Sequence, residues 1–124
     1  MPKVSRDSAQ VEDHGVVEDR HGEVDGYTIS FVSFRQDIDS APLLKGLPGD
    51  RCQCPHWGYV VKGRLTFPFA DREEVFEAGD AFYVPPGHTQ TAEAGSECVM
   101  FSPTEELKAT DAAMMKNMQE MQGA

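Results

Sequence analysis

Between Tyr27 and Phe101 the chain changes character every few residues, and this rhythm restricts its fold more than any other feature. Runs rich in aromatic and β-branched residues, YTISFVSF (27–34), GRLTFPF (63–69), AFYV (81–84) and ECVMF (97–101), are separated by turn sequences such as ADREE and PPG. These runs are too short for helices and read as strands. Residues 51–62 read as one long strand, VFEAGD (75–80) as a short strand and a turn, and HTQTAEA (88–94) as a further strand. DIDSAPLLKGLPGD (37–50), with two prolines and two glycines, reads as a connector with about one helical turn. Many short strands with tight turns predict an all-β sandwich or a small closed barrel of jelly-roll type, which leaves no long open edge.

The flanks differ from this region. Residues 1–22 are polar with no sustained period and are expected to form a loose arm or an irregular covering segment. Residues 103–124 carry a helical period. Ser102, Pro103 and Glu105 have the spacing of an N-cap, a first-turn proline and the partner residue of a capping box. Leu107, Met114, Met118 and Met121 then fall on one face, and Thr110-Asp111 is a candidate break. Such a helix packs on its own barrel or docks on a partner subunit. The expected division is an arm at 1–22, a barrel at 23–102 and a helix at 103–124.

With 124 residues the chain suits one domain. Its formal net charge of −10 would repel phosphate backbones, and no local basic patch offsets this, so nucleic acid is not an expected partner. No run of 18 apolar residues is present to span a membrane. The first residues have no apolar core of the secretory type, which makes the cytoplasm the expected location. Three cysteines, Cys52, Cys54 and Cys98, are an odd number, and free thiols in a reducing compartment fit better than a disulfide framework.

The chemistry concentrates in DRCQCPHWGYVVKG (50–63). On a strand, alternate residues share a face, so Cys52, Cys54 and His56 would project together with Asp50 and Gly58, while Trp57 faces the opposite way and packs an outer sheet surface or an interface. Thiolate and imidazole suit zinc and iron. Two neighbours on such a strand can reach one ion, and all three can do so only if the strand bends; Pro55 favours a bulge or an edge. His88 and Gln90 alternate on another segment and offer further donors, His88 the stronger of the two. The Cys-x-Cys-x-His spacing alone does not match a zinc finger, and buried core thiols are the competing reading.

The sequence resembles the cupin superfamily in two stretches. YVVKGRLTF is similar to the strand that ends the first cupin motif, with Gly63 as its final glycine. Counting back, His56 falls where the family's glutamate stands, Cys52 where its second histidine stands, and Asp50 at the first histidine. GDAFYVPPGHTQ is similar to the second motif: Gly79, Pro85 and Gly87 match, Gln90 occupies the histidine position, and His88 lies two residues before it. The resemblance implies a small cupin-type β-barrel with ligands projecting into its mouth, and a homodimer. The departures replace the family's hard-ligand set with softer donors.

The resulting expectation is a metal-binding cupin-like protein with a small-molecule pocket in the barrel. Its candidate metal ligands are Cys52, Cys54, His56, His88 and Gln90, and zinc is favoured over iron, nickel or manganese. Three functions fit: a metal-dependent enzyme of unassigned substrate, a non-catalytic ligand or metal sensor, and a metal-free structural or binding module.

Overall fold

In the computed structural model, which describes residues 3–123, the central run of the sequence folds into two antiparallel sheets. The larger contains six strands. These are β1 (Gln10–Asp13), β2 (Val17–Val24), β3 (Tyr27–Phe34), β10 (Glu97–Pro103), β5 (His56–Lys62) and β8 (Ala81–Val84), in that spatial order. The smaller sheet runs β4 (Ile38–Asp39), β9 (Thr91–Ala92), β6 (Arg64–Pro68) and β7 (Glu73–Glu77). Apart from the sequential β1–β2–β3 and β6–β7 neighbours, strands adjacent in space are distant in sequence, as in a jelly roll.

The core lies between the sheets. Val60, Phe82, Val84, Cys98 and Met100 from the larger sheet meet Leu65, Phe67 and Ala92 from the smaller one. Alternation along each strand decides which residues enter. In β5, His56 and Val60 are buried while Trp57, Tyr59 and Val61 are exposed. Leu65 and Phe67 have no exposed surface, and burying each contributes about 1.5–3 kcal/mol.

Several expectations are corrected. Residues 1–22, read from their polarity as a loose arm or an irregular covering segment, supply β1 and most of β2 to the sheet, and β2 pairs with β3 along its whole length. Apart from Val17, which packs against the core, these strands are only partly buried or exposed, so their pairing rests mainly on the backbone ladder. Arg35 bridges the turn by pairing with Asp13 at 2.7 Å and Glu18 at 3.2 Å.

The strand expected over 51–62 begins only at His56. Pro55 has no N–H for a ladder, and Cys52 is tied elsewhere: its N–H donates to the His88 carbonyl and its carbonyl accepts from the Gly87 N–H, both at 2.8 Å. The expected 88–94 strand likewise shortens to Thr91–Ala92.

The C-terminal helix, α1 (Thr104–Gly123), is continuous through Thr110-Asp111. Ser102 and Pro103 end β10 rather than capping it. The helix packs on its own barrel. Leu107 and Met114 lie against Leu44, Cys52 and Cys54, and Asn117 Nδ2 donates to the carbonyls of Leu43 (2.7 Å) and Lys45 (3.0 Å). Met121, expected on the packing face, is exposed. No helix among the described residues is long and apolar enough to cross a membrane.

Candidate metal centre

Three donors of the predicted set converge where α1 meets the end of the barrel. Cys52 Sγ and one ring nitrogen each of His56 and His88 lie within 4.8 Å of one another, and all three residues are buried. Among the described residues this is the one such group of three or more His, Cys, Asp or Glu donors. Cys52 Sγ stands 3.7 Å from His56 Nε2, close to the ~3.5 Å that a tetrahedral ion with ordinary Zn–S and Zn–N bonds sets between sulfur and nitrogen.

Each member is aimed by its backbone. His56 opens β5 with its side chain on the core face. His88 follows the Pro85–Gly87 turn and is locked beside Cys52 by the isolated bridge between them. The bend at residues 53–55 lets Cys52 swing back toward His56, where a regular strand would hold the two apart.

The imidazoles are also oriented. His56 Nδ1 lies 2.7 Å from Ser102 Oγ, and His88 Nδ1 donates to the Pro85 carbonyl at 2.9 Å. With both Nδ1 atoms engaged, both Nε2 atoms remain for the shared centre, an arrangement that fixes ligand orientation in metal sites. The His56 and His88 rings meet edge-on at 5.0 Å, and Phe67 and Phe69 wall the other side of His88 at 5.4 and 6.1 Å.

Burial sets the protonation states. It lowers the His56 pKa to about 3, with the neighbouring His88 acting in the same direction. Burial also lowers the His88 pKa, opposed by its bond to Pro85. The Cys52 thiol is raised by burial, partly offset by hydrogen bonds from Thr110 and at Cys54. The metal-free cluster therefore holds two neutral imidazoles and a neutral thiol, two of the three already in ligating form.

The other predicted residues lie differently. Cys54 is fully buried but outside the donor cluster; its thiol donates to the Pro55 carbonyl at 3.4 Å, and burial pushes its pKa up to about 12. Asp50 is exposed and accepts from the Gly46 N–H at 3.0 Å. Gln90 has its main chain clamped to Ser40, while its side-chain Nε2 is buried with no hydrogen-bond partner. Rotating that amide exchanges a donor for a carbonyl oxygen.

Two residues of the site were assigned other roles by sequence. Ser102, read as a helix cap, holds His56. Thr110, read as a helix breaker, sits with Oγ1 3.3 Å from Cys52 Sγ. Their partners are 46 and 58 residues away, beyond any local signal.

The family of AraC-like ligand binding domains matches residues 55–103. A solved structure of unknown function from Rhizobium leguminosarum bv. viciae 3841 is 20% identical, with TM-score 0.58 over 82% of this chain and 95% of that one. An RmlC-like cupin from Shewanella frigidimarina NCIMB 400 is 21% identical, with TM-score 0.54 over 81% and 88%. The chain has the cupin fold. The Fe(II)-HppE structure shares this cupin architecture at 9% identity and TM-score 0.57, over 82% of this chain and 60% of that one. No curated relative matches this chain in sequence.

Proposed function

We propose that this cupin binds one transition ion through Cys52, His56 and His88, with Gln90 supplying its amide oxygen as a fourth donor. The reading rests on one observation above all: three soft or borderline donors converge in a buried pocket with both imidazole Nδ1 atoms already engaged. The thiolate favours zinc over manganese, with iron and nickel as the other candidates. Cys54 then serves as a core thiol beside the site. A flipped Gln90 amide would turn its oxygen to the buried position where the unpartnered Nε2 stands, which is how it could serve as the fourth donor.

When bound, the ion would supply Lewis acidity, and the oxygen of a small-molecule ligand would reach it only in place of the Gln90 amide. The chain's own residues supply the rest. His56 and His88 present neutral Nε2 atoms, Ser102 and the Pro85 carbonyl hold the rings, and Phe67 and Phe69 exclude water on one side. Small-molecule binding is supported by the likeness to AraC-like ligand binding domains, and an ion in a cupin site by the likeness to Fe(II)-HppE. The protein would work in the cytoplasm, where three free thiols stay reduced, and as a homodimer.

A specific observation favours the sensor reading over the enzyme reading. Thr110 contacts Cys52, and Leu107 and Met114 pack against Leu44, Cys52 and Cys54, so α1 covers the Cys52 side of the site. A ligand or metal sensor tolerates a closed site, whereas a catalytic ion needs an open position.

Elemental analysis of protein purified without a metal-affinity column tests the proposal. About one ion per chain is expected, falling to background in a His56→Ala, His88→Ala double variant. A folded wild-type protein that holds no metal and takes up none from zinc, iron or nickel solutions would leave the metal-free module.

A further inference from the structure

The β1–β2 hairpin carries a second group of ligating side chains, none of them part of the Cys52 centre. Glu12 stands opposite Asp19 in the ladder, Asp19 opposite Val32, and Val32 opposite Cys98. His21 stands opposite Ser30, and Ser30 opposite Met100. Residues opposite one another in an antiparallel sheet share a face, and Cys98 and Met100 belong to the core. Glu12, Asp19 and His21 therefore lie on the inner face of the larger sheet, and His14 joins them from the turn that follows β1.

The spacing suits a shared ion better than hydrogen bonds. Glu12 Oε1 lies 3.5 Å from His21 Nε2, and Glu12 Oε2 lies 3.5 Å from His14 Nε2. Both distances exceed the roughly 2.7–3.2 Å of an N–H···O bond. Both match the ~3.4 Å between two donors on one tetrahedral ion with bonds of about 2.1 Å. On its other side, His21 Nδ1 faces Asp19 Oδ1 at 3.6 Å. These two atoms are shut off from solvent and have no hydrogen-bond partner. A carboxylate behind the far nitrogen of an imidazole is the arrangement that aims the near nitrogen at a metal.

The local charge also calls for a cation. Burial raises the Asp19 pKa, with His21 opposing and Glu12 adding to the rise. Asp111 of α1 keeps contact with solvent, yet desolvation, and then the Asp19 and Glu12 charges, push its pKa up to about 6. The hairpin's arginines are engaged elsewhere, Arg20 with Glu18 and Arg35 with Asp13 and Glu18. Among the described residues no lysine or arginine pairs with Glu12, Asp19 or Asp111. Three carboxylates thus share one neighbourhood without a fixed cation.

We infer that Glu12, His14 and His21 bind a divalent transition-metal ion, with Asp19 orienting His21. Each imidazole faces a different oxygen of Glu12, so the site closes by a turn of the exposed His14 side chain. Imidazole and carboxylate donors without a thiolate suit zinc, iron or nickel. Because it is partly open and not fully assembled, the site is weaker than the Cys52 centre, fills after it and empties during purification. Its ion ties β1 and the following turn to β2, where pairing otherwise rests mainly on the backbone ladder.

The chain's four histidines divide evenly between the two sites, so their ring signals report on each separately. Zinc is titrated into metal-free protein labelled at the histidine ring nitrogens and followed by nuclear magnetic resonance. The His14 and His21 signals should shift saturably, after those of His56 and His88. Glu12→Gln should weaken this second phase by at least about tenfold and Asp19→Asn by about 10–100-fold, with the His56 and His88 response unchanged. His14 and His21 signals that stay unmoved in a large excess of zinc would overturn the inference, as would shifts that persist unaltered in Glu12→Gln. Responsive His14 and His21 beside silent His56 and His88 would keep this site and refute the Cys52 centre. Glu12 is exposed, and glutamine keeps its size, so circular dichroism of Glu12→Gln should match the wild type. If Asp19→Asn does not fold, the wild-type and Glu12→Gln titrations decide the matter.

Discussion

His56 Nδ1 lies 2.7 Å from Ser102 Oγ, joining the first residue of β5 to the penultimate residue of β10 inside the barrel. Ser102→Ala removes the partner and leaves a buried ring nitrogen unsatisfied, a cost of about 1–3 kcal/mol. It also frees the ring to turn. Metal affinity should fall about 10–100-fold, as for other losses of ligand-orienting bonds, while Ser102→Thr retains most of it. Competition against a chromophoric chelator measures both. An unchanged affinity in a folded Ser102→Ala protein would remove Ser102 from the support of the site.

Proton release follows from the burial of the cluster. His56, with its pKa lowered to about 3, and His88, lowered in the same direction, are neutral at pH 7, whereas the raised Cys52 thiol carries its proton. Loading a divalent ion should therefore displace about one proton, from Cys52. The sign is that affinity rises with pH, by about tenfold per unit, from mildly acidic conditions until the thiol itself ionises. Calorimetry in buffers of different ionisation enthalpy counts the protons. Release of two or more at pH 7 would mean that the imidazoles are charged in the metal-free protein.

Cys54 separates packing from ligation. Its side chain fills the small core of Leu44 and Cys52 beneath α1. Cys54→Ala should lower stability by about 1–2 kcal/mol and leave metal stoichiometry unchanged. Chemical denaturation and metal analysis of the same sample test both halves; loss of metal with full stability would make Cys54 a ligand.

The turn glycines allow a test of the fold itself. Gly63 links β5 to β6 with φ +81°, and an added Cβ would collide with Ser96 Oγ and stand 2.7 Å from Ser96 Cα. Ser96 is fully buried and bonds both the N–H and the carbonyl of Arg64, so it cannot move aside. Gly63→Ala should cost about 2–4 kcal/mol from the left-handed backbone and the clash together. Thermal unfolding measures it, and a loss under about 0.5 kcal/mol, the range of neutral surface changes, would contradict the packing described.

What could be read from sequence follows the range of the forces involved. Tyr27–Phe34, Ala81–Val84 and Glu97–Phe101 announce themselves because half-buried strands must alternate apolar residues, and Gly63 because its turn needs positive φ. Val17–Val24 gives no such signal, since it pairs beyond the core through backbone groups that every sequence carries. At the site, parity grouped Cys54 with Cys52 and His56, but parity holds only within a strand, and residues 52–55 are not one. The approach of His88 to Cys52 and of Thr110 to Cys52 arises from the closure of the barrel and the return of α1, which no local pattern encodes.

The central claim is that Cys52 and the two histidines share one ion, and cobalt(II) tests it most directly. Titrated into metal-free protein, cobalt should give an intense thiolate-to-metal charge-transfer band and tetrahedral visible bands that saturate at about one equivalent. The charge-transfer band should vanish in Cys52→Ala and persist in Cys54→Ala. No charge-transfer band in the folded wild type, or a band unaffected by Cys52→Ala, would contradict the site.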